Sequence, residues 1–143
     1  MSTAPTSSPE SVIRILLVED NDVNRQLMTD YLKYCGYDVL SLARGEMFTA
    51  AMKQFEPHVI LLDLKLPDVD GYTLLQQAQQ RQEWTQTPII VVSAYAFHAD
   101  RQRALNLGAR RYLVKPVKLP ELIEAITEEL TPSLLSHPPF LLI

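Results

Sequence analysis

The feature that most constrains this chain is an alternation. Five short apolar runs, at residues 12–18, 37–41, 59–62, 89–92 and 111–114, are separated by stretches with apolar residues at helical spacing. The runs are too short for helices, rich in Val, Ile and Leu, and stopped by turn or capping residues, so they read as strands, 37–41 being the weakest. A first helix is predicted from Val23 to a stop at Gly36, with Asn21 or Asp22 as N-cap and Leu27, Met28, Tyr31, Leu32 and Cys35 as its apolar stripe. Further helices are predicted over 46–55, about 72–82, 99–107 and 119–130. Strict alternation of strand and helix implies right-handed crossovers, hence an α/β fold with a parallel five-stranded sheet covered by helices on both faces. With 143 residues there is room for one such domain, expected over 12–130 between a Ser/Thr/Pro-rich N-terminal arm, 1–11, and an apolar tail, 131–143. The tail is expected to lie against its own surface or a neighbouring chain, or to serve as a docking peptide.

Composition narrows the function classes. A 47% hydrophobic and 21% charged chain has the makings of a packed core, against disorder or a disulfide framework. The balance of 17 acidic against 13 basic residues, net −4, has the wrong sign for holding nucleic acid through its phosphates. Cys35, the one cysteine, has no partner for a bridge or a thiolate metal site, which implies a reducing compartment and a packing role. The uncharged stretch 85–99 contains Pro88 and falls short of the roughly 20 residues of a membrane span. The arm lacks the basic start and apolar run of a secretory signal, so a cytoplasmic protein with no membrane span is expected.

In an open parallel sheet, ligands sit beyond the carboxyl ends of the strands. Here the first strand ends at Glu19-Asp20, the third at Asp63, the fourth at Ser93 and the fifth at Lys115. Any one of these would pass for a cap, a turn former or a solvated lysine. Capping does not explain why four strand ends deliver carboxylates, a hydroxyl and an ammonium to one rim. The chemistry that fits is divalent-metal binding with phosphoryl transfer to a carboxylate. Mg2+ takes hard oxygen ligands and keeps waters, so Asp20 and Asp63, a backbone carbonyl and a phosphate oxygen suffice. A carboxylate attacks phosphorus once the charge on the transferring group is neutralised, a task for the metal, the Lys115 ammonium and the Ser93 hydroxyl.

The segments Val18-Glu19-Asp20-Asn21, Leu62-Asp63-Leu64-Lys65-Leu66-Pro67-Asp68-Val69-Asp70-Gly71, Ser93-Ala94 and Tyr112-Leu113-Val114-Lys115-Pro116 carry a specific likeness. From about Ile13 to Leu130 the chain closely resembles the receiver domain of two-component response regulators, the CheY-like family. The resemblance implies a doubly wound, flavodoxin-like sheet of order 2-1-3-4-5. It implies Asp63 as phosphoacceptor, Glu19 and Asp20 as the acidic pair holding Mg2+, and the backbone carbonyl of Lys65 as a further ligand. It also implies Ser93 and Lys115 on the phosphoryl oxygens, a cis Lys115-Pro116 bond, and a histidine kinase or histidine phosphotransfer protein as donor. Such a receiver is a switch that catalyses only its own phosphorylation and dephosphorylation, not an enzyme with its own substrate.

Departures from the family pattern are mild. Glu19 replaces the commoner Asp, and Ser93 the commoner Thr. Lys65 and Tyr95 occupy positions that tune hydrolysis in the family, and their bulk predicts slow loss of the phosphoryl group. By the resemblance, Ser93 and Tyr112 form the switch, reading out on the face of the fourth helix, fifth strand and fifth helix; a half-buried strand aromatic is the plainer reading of Tyr112. Arg101, Arg103, Arg110, Arg111 and Lys118 fall on or near that face with no acid between 101 and 118, either balanced by the acidic last helix or available to an acidic partner. The resemblance also admits a homodimer through the same face. With only an arm and a tail beside the receiver, the output is expected in another molecule. A Mg2+-dependent aspartyl-phosphate phosphatase or phosphotransferase is a second reading, but enzymes of the haloacid-dehalogenase type want a second acid where Lys65 stands. A flavodoxin-like cofactor carrier would have its phosphate repelled by Glu19, Asp20 and Asp22. A phosphorylation-independent interaction module would not need every site residue.

Overall fold

The computed structural model describes residues 12–131. Residues 1–11, expected as an arm, and 132–143 of the expected tail lie outside the described residues. Five strands, β1 (Arg14–Val18), β2 (Asp38–Leu42), β3 (Val59–Leu62), β4 (Ile89–Ser93) and β5 (Arg111–Val114), form one sheet of order β2-β1-β3-β4-β5. All neighbours pair in parallel. The helices are α1 (Asp22–Tyr34), α2 (Phe48–Phe55), α3 (Gly71–Gln80), α4 (His98–Asn106) and α5 (Leu119–Leu130). No helix among the described residues is long and apolar enough to cross a membrane.

Alternation along the strands divides the core in two. Leu16, Val18, Ile60, Leu62 and Val91 face α2, α3 and α4, whereas Ile15, Leu17, Leu61, Ile90 and Val92 face α1 and α5. Strands buried on both faces explain the continuous apolar runs in the sequence.

Several local expectations shift. The helix predicted over 46–55 opens as a 3-10 turn, Gly45–Met47, and leaves Met47 exposed. On α1, Met28 and Leu32 are buried but Leu27 is 55% exposed, so the inward stripe is narrower than the spacing suggested. Cys35 is exposed, correcting its packing role. It is the C-cap of α1, where the chain leaves the helix toward Gly36 at φ 97°, and its side chain no longer follows the stripe. Asn21 is the N-cap, accepting from the Asn24 N–H at 2.9 Å.

Candidate functional site

Sheet hydrogen bonding continues one residue past the strands and fixes the rim. Glu19 N–H donates to Leu42 O at 3.0 Å, Asp63 N–H to Val18 O at 3.0 Å, and Lys115 N–H to Ser93 O at 2.8 Å. The backbones carrying Glu19, Asp63 and Lys115 are therefore held by neighbouring strand ends, on a platform of fully buried β1 and β3 residues. Asp20 is the exposed member.

Glu19 and Asp63 are buried, at 1% and 5% exposure, and share one cation. Lys115 Nζ lies 2.7 Å from Glu19 Oε1 and 2.9 Å from Asp63 Oδ2. Burial alone would lower the pKa of this ammonium, but the hydrogen bonds it donates to Glu19 and Asp63, with their charges, outweigh that and hold the lysine above its ordinary range. On Glu19 the balance falls the other way. Burial pushes its carboxyl up, and the bonds from Lys115 and from the Asn21 N–H, 3.0 Å from Oε2, recover only part of that shift. Two carboxylates facing one ammonium make both directions intelligible: the lysine has two partners and the glutamate half of one.

Carboxylate oxygens of Glu19, Asp20 and Asp63 all lie within 4.8 Å of one another. Three hard oxygen donors at this spacing, with Asp20 open to water, fit a divalent cation that keeps part of its hydration shell. The loop after Asp63 is strongly constrained. Lys65 N–H donates to Asp63 Oδ1 at 3.1 Å, orienting the carboxylate, while the Lys65 side chain is exposed. Gly71 N–H closes the loop on Leu64 O at 2.9 Å. A Cβ at Gly71 would meet Leu64 Cα at 2.5 Å, so glycine is required by close backbone approach.

On the other side, Ser93 is fully buried and its Oγ accepts from Tyr95 N–H at 3.1 Å. Tyr112, 5% exposed, donates its hydroxyl to Tyr95 O at 2.7 Å. It is thus a buried, hydrogen-bonded aromatic rather than a half-buried one, and burial raises its phenol's pKa. The peptide bond Lys115-Pro116 is cis, as expected. Two members of the basic cluster are paired within the fold: Arg111 with Glu128 at 2.7 Å and Glu129 at 2.6 Å, and Arg110 with Glu129 at 3.2 Å. Balance by the acidic last helix is the reading that holds for those two arginines.

Sequence reasoning missed two contributors. Asp68 anchors the loop by accepting from Gly45 N–H at 2.9 Å and Glu46 N–H at 2.8 Å, bonds that lower its pKa. Tyr72, noted only as the start of a helix, reaches across to α4. The Asp68 signal was present as one of several acids in a turn, but its partners lie more than twenty positions away in sequence.

A family model described as the response regulator receiver domain matches residues 15–127. The chain belongs to the response-regulator receiver family. This receiver is 39% identical over 112 residues to the transcriptional regulatory protein GltR of Pseudomonas aeruginosa, across 78% of this chain and 46% of that protein. The chain thus spans about half the length of that relative. It is 30% identical over 112 residues to the polar-differentiation response regulator DivK of Brucella ovis, across 78% of this chain and 91% of that one. Among solved structures it resembles a CheY-like receiver domain protein from Methanospirillum hungatei (TM-score 0.79, 31% identity, 85% of this chain and 95% of that one). It also resembles the Mn2+-bound form of response regulator Rcp1 (TM-score 0.69, 27% identity, 83% and 92%).

Proposed function

We propose that Asp63 accepts a phosphoryl group from the phosphohistidine of a kinase or phosphotransfer protein, and that this receiver acts by changing its affinity for a separate partner. The observation that carries the reading is Lys115 Nζ, 2.9 Å from Asp63 Oδ2, beside three carboxylates grouped within 4.8 Å. In the transfer, an Asp63 oxygen forms the new O–P bond, the P–N bond to the donor imidazole breaks, and the imidazole takes up a proton. Glu19, Asp20, Asp63 and the Lys65 carbonyl would hold Mg2+, which supplies charge neutralisation for the phosphoryl oxygens. Lys115 and the Ser93 hydroxyl take the remaining oxygens. Tyr112 follows Ser93 through Tyr95, whose N–H and C=O bond one to each. Leu27 forms a groove with Pro116 and Leu119, lined also by Lys115, which offers the donor an apolar footing next to Asp63.

Coverage of 91% of DivK supports a receiver, over 12–130, that signals to a separate partner molecule; a cytoplasmic location alongside its donor is part of the same proposal. The test is intact mass after incubation with Mg2+ and a small acyl-phosphate donor. One added phosphoryl group, absent in Asp63→Asn, is expected. Steady phosphate release with turnover would favour a phosphatase, and no adduct a phosphorylation-independent module.

A further inference from the structure

Helix α4 is weakly anchored for an element so close to the site. Only Ala104 is buried on it, and its N-cap, Phe97, contributes no side-chain hydrogen bond, whereas Asn21 and Asp70 cap α1 and α3. Its first turns are held from α3 instead. The buried Tyr72 donates its hydroxyl toward Asp100, 3.3 Å from Oδ1 and 3.4 Å from the backbone O, and the Arg103 guanidinium lies 3.8 Å from the ring centroid. Burial and then the Asp100 carboxylate push the phenol up to about 12, so it stays a donor.

The other end of Tyr72 is fixed to the phosphoacceptor loop. Its N–H donates to Asp70 Oδ1 at 3.0 Å, and the adjacent Gly71 is in backbone contact with Leu64, the residue after Asp63. Asp63 therefore reaches α4 by two chains of contact. One runs through Lys115, whose Nζ lies 2.9 Å from Asp63 Oδ2 and whose backbone N–H donates to Ser93 O at 2.8 Å, and on through Ser93, Tyr95 and Tyr112, with Arg101 Nη1 3.4 Å from Tyr112 O. The other is a short strut from the loop through Tyr72.

We propose that Tyr72 is a positioning residue that ties α4 to the Asp63 loop through Asp100 and Arg103, by contacts other than those of Ser93 and Tyr112. Removing the strut loosens α4 in the unphosphorylated protein. Its effect on signalling rests on Asp63 being the phosphoacceptor: if the phosphorylated state repositions α4, a looser α4 lowers the barrier to be overcome, and occupancy at subsaturating donor rises.

Hydrogen exchange of the full chain, without donor, tests the strut. In Tyr72→Leu, exchange across 98–106 accelerates about tenfold, the sum of a lost cation–π contact and a lost hydrogen bond. In Tyr72→Phe, which keeps the ring under Arg103, it accelerates about twofold to threefold. Arg103→Gln, a surface change that leaves the core intact, accelerates it about threefold, and adding it to Tyr72→Leu changes nothing further. Amides of β1 and β3 keep their wild-type rates throughout. Unchanged α4 exchange in Tyr72→Leu and Arg103→Gln would overturn the strut, as would acceleration spread equally over all elements. A wild-type protein that takes up no phosphoryl group at Asp63 would overturn the functional reading and leave the exchange result standing.

Discussion

Replacing Lys115 by Met keeps the stem's length and removes the charge that Glu19 and Asp63 share. Glu19 then loses a partner at 2.7 Å and Asp63 one at 2.9 Å, and both carboxylates remain buried. Two unit charges at the 4.8 Å limit of the cluster repel by about 3 kcal/mol at an effective dielectric of about 20. Breaking a buried ion pair costs about 3–5 kcal/mol. Water reaching the 19% exposed lysine position and Asp20 reduces this, so about 2 kcal/mol is expected. With about 2 cal/mol/K of unfolding entropy per residue, Tm should fall by about 8 °C in metal-free buffer.

Millimolar Mg2+ should then raise the variant's Tm by more than the wild type's, because no ammonium competes for the carboxylates. The deficit should also narrow as pH falls. Glu19 is already raised by burial, and loss of Lys115 raises it further, so the folded state binds a proton that the unfolded state lacks between its ordinary carboxyl range and its folded value. Stability in that window increases toward acid. Circular dichroism melts of both proteins, with and without Mg2+, check the whole set. An unchanged metal-free Tm, or an equal Mg2+ increment in the two proteins, would refute the reasoning.

Three further outcomes follow from single contacts. Gly71→Ala drives a methyl into the Leu64 backbone, 2.5 Å from Cα, and should lower stability by about 2 kcal/mol, read as a shifted urea midpoint at unchanged slope. His58 Nδ1 accepts from Arg14 N–H at 2.9 Å, and burial and then the Arg14 charge lower its pKa. The unfolded state thus binds the extra proton first, so this contribution is complete above about pH 6.5 and lost as pH falls to the folded value; His58→Gln should flatten the urea-midpoint profile there. Tyr95→Ala should shorten the phosphorylated lifetime several-fold by clearing bulk near the site, and an unchanged lifetime in a phosphate-release assay would count against that obstruction.

The legible part of this protein is the part whose period is local. Continuous apolar runs marked β3 and β4 almost to the residue, because both faces of those strands are buried and no alternation blurs them, whereas β5, at the sheet edge and only partly buried, was bounded by Gly108 before it and Lys115-Pro116 after it. Strand-end chemistry placed Glu19, Asp20, Asp63, Ser93 and Lys115 on one rim because parallel topology leaves those ends nowhere else to go. The boundary of α2 was less legible: Gly45 and Glu46 are held in a 3-10 turn by Asp68, a partner contributed by the loop after β3. Cys35 failed for a related reason, since a C-cap departs from the helical phase that spacing assumes.

Charge was the least legible property, and the basic stretch shows why. Between 101 and 118 the sequence offers cations with no acid among them, yet the partners of Arg110 and Arg111 are Glu128 and Glu129 on α5, and Arg103 finds an aromatic ring in Tyr72. A run of like charge in sequence is a patch only if the fold leaves it unpaired, and crossovers in this topology bring the acidic face of α5 back beside β5. What remains exposed there is both apolar and basic: Phe97 at 78% and Val114 at 43%, with the exposed Arg101, Arg103 and Lys118. A partner reading the face of α4, β5 and α5 would therefore meet two apolar side chains beside cations that α5 does not pair, since among the described residues its acids take up only Arg110 and Arg111. Contact area and residual positive charge would together govern its affinity.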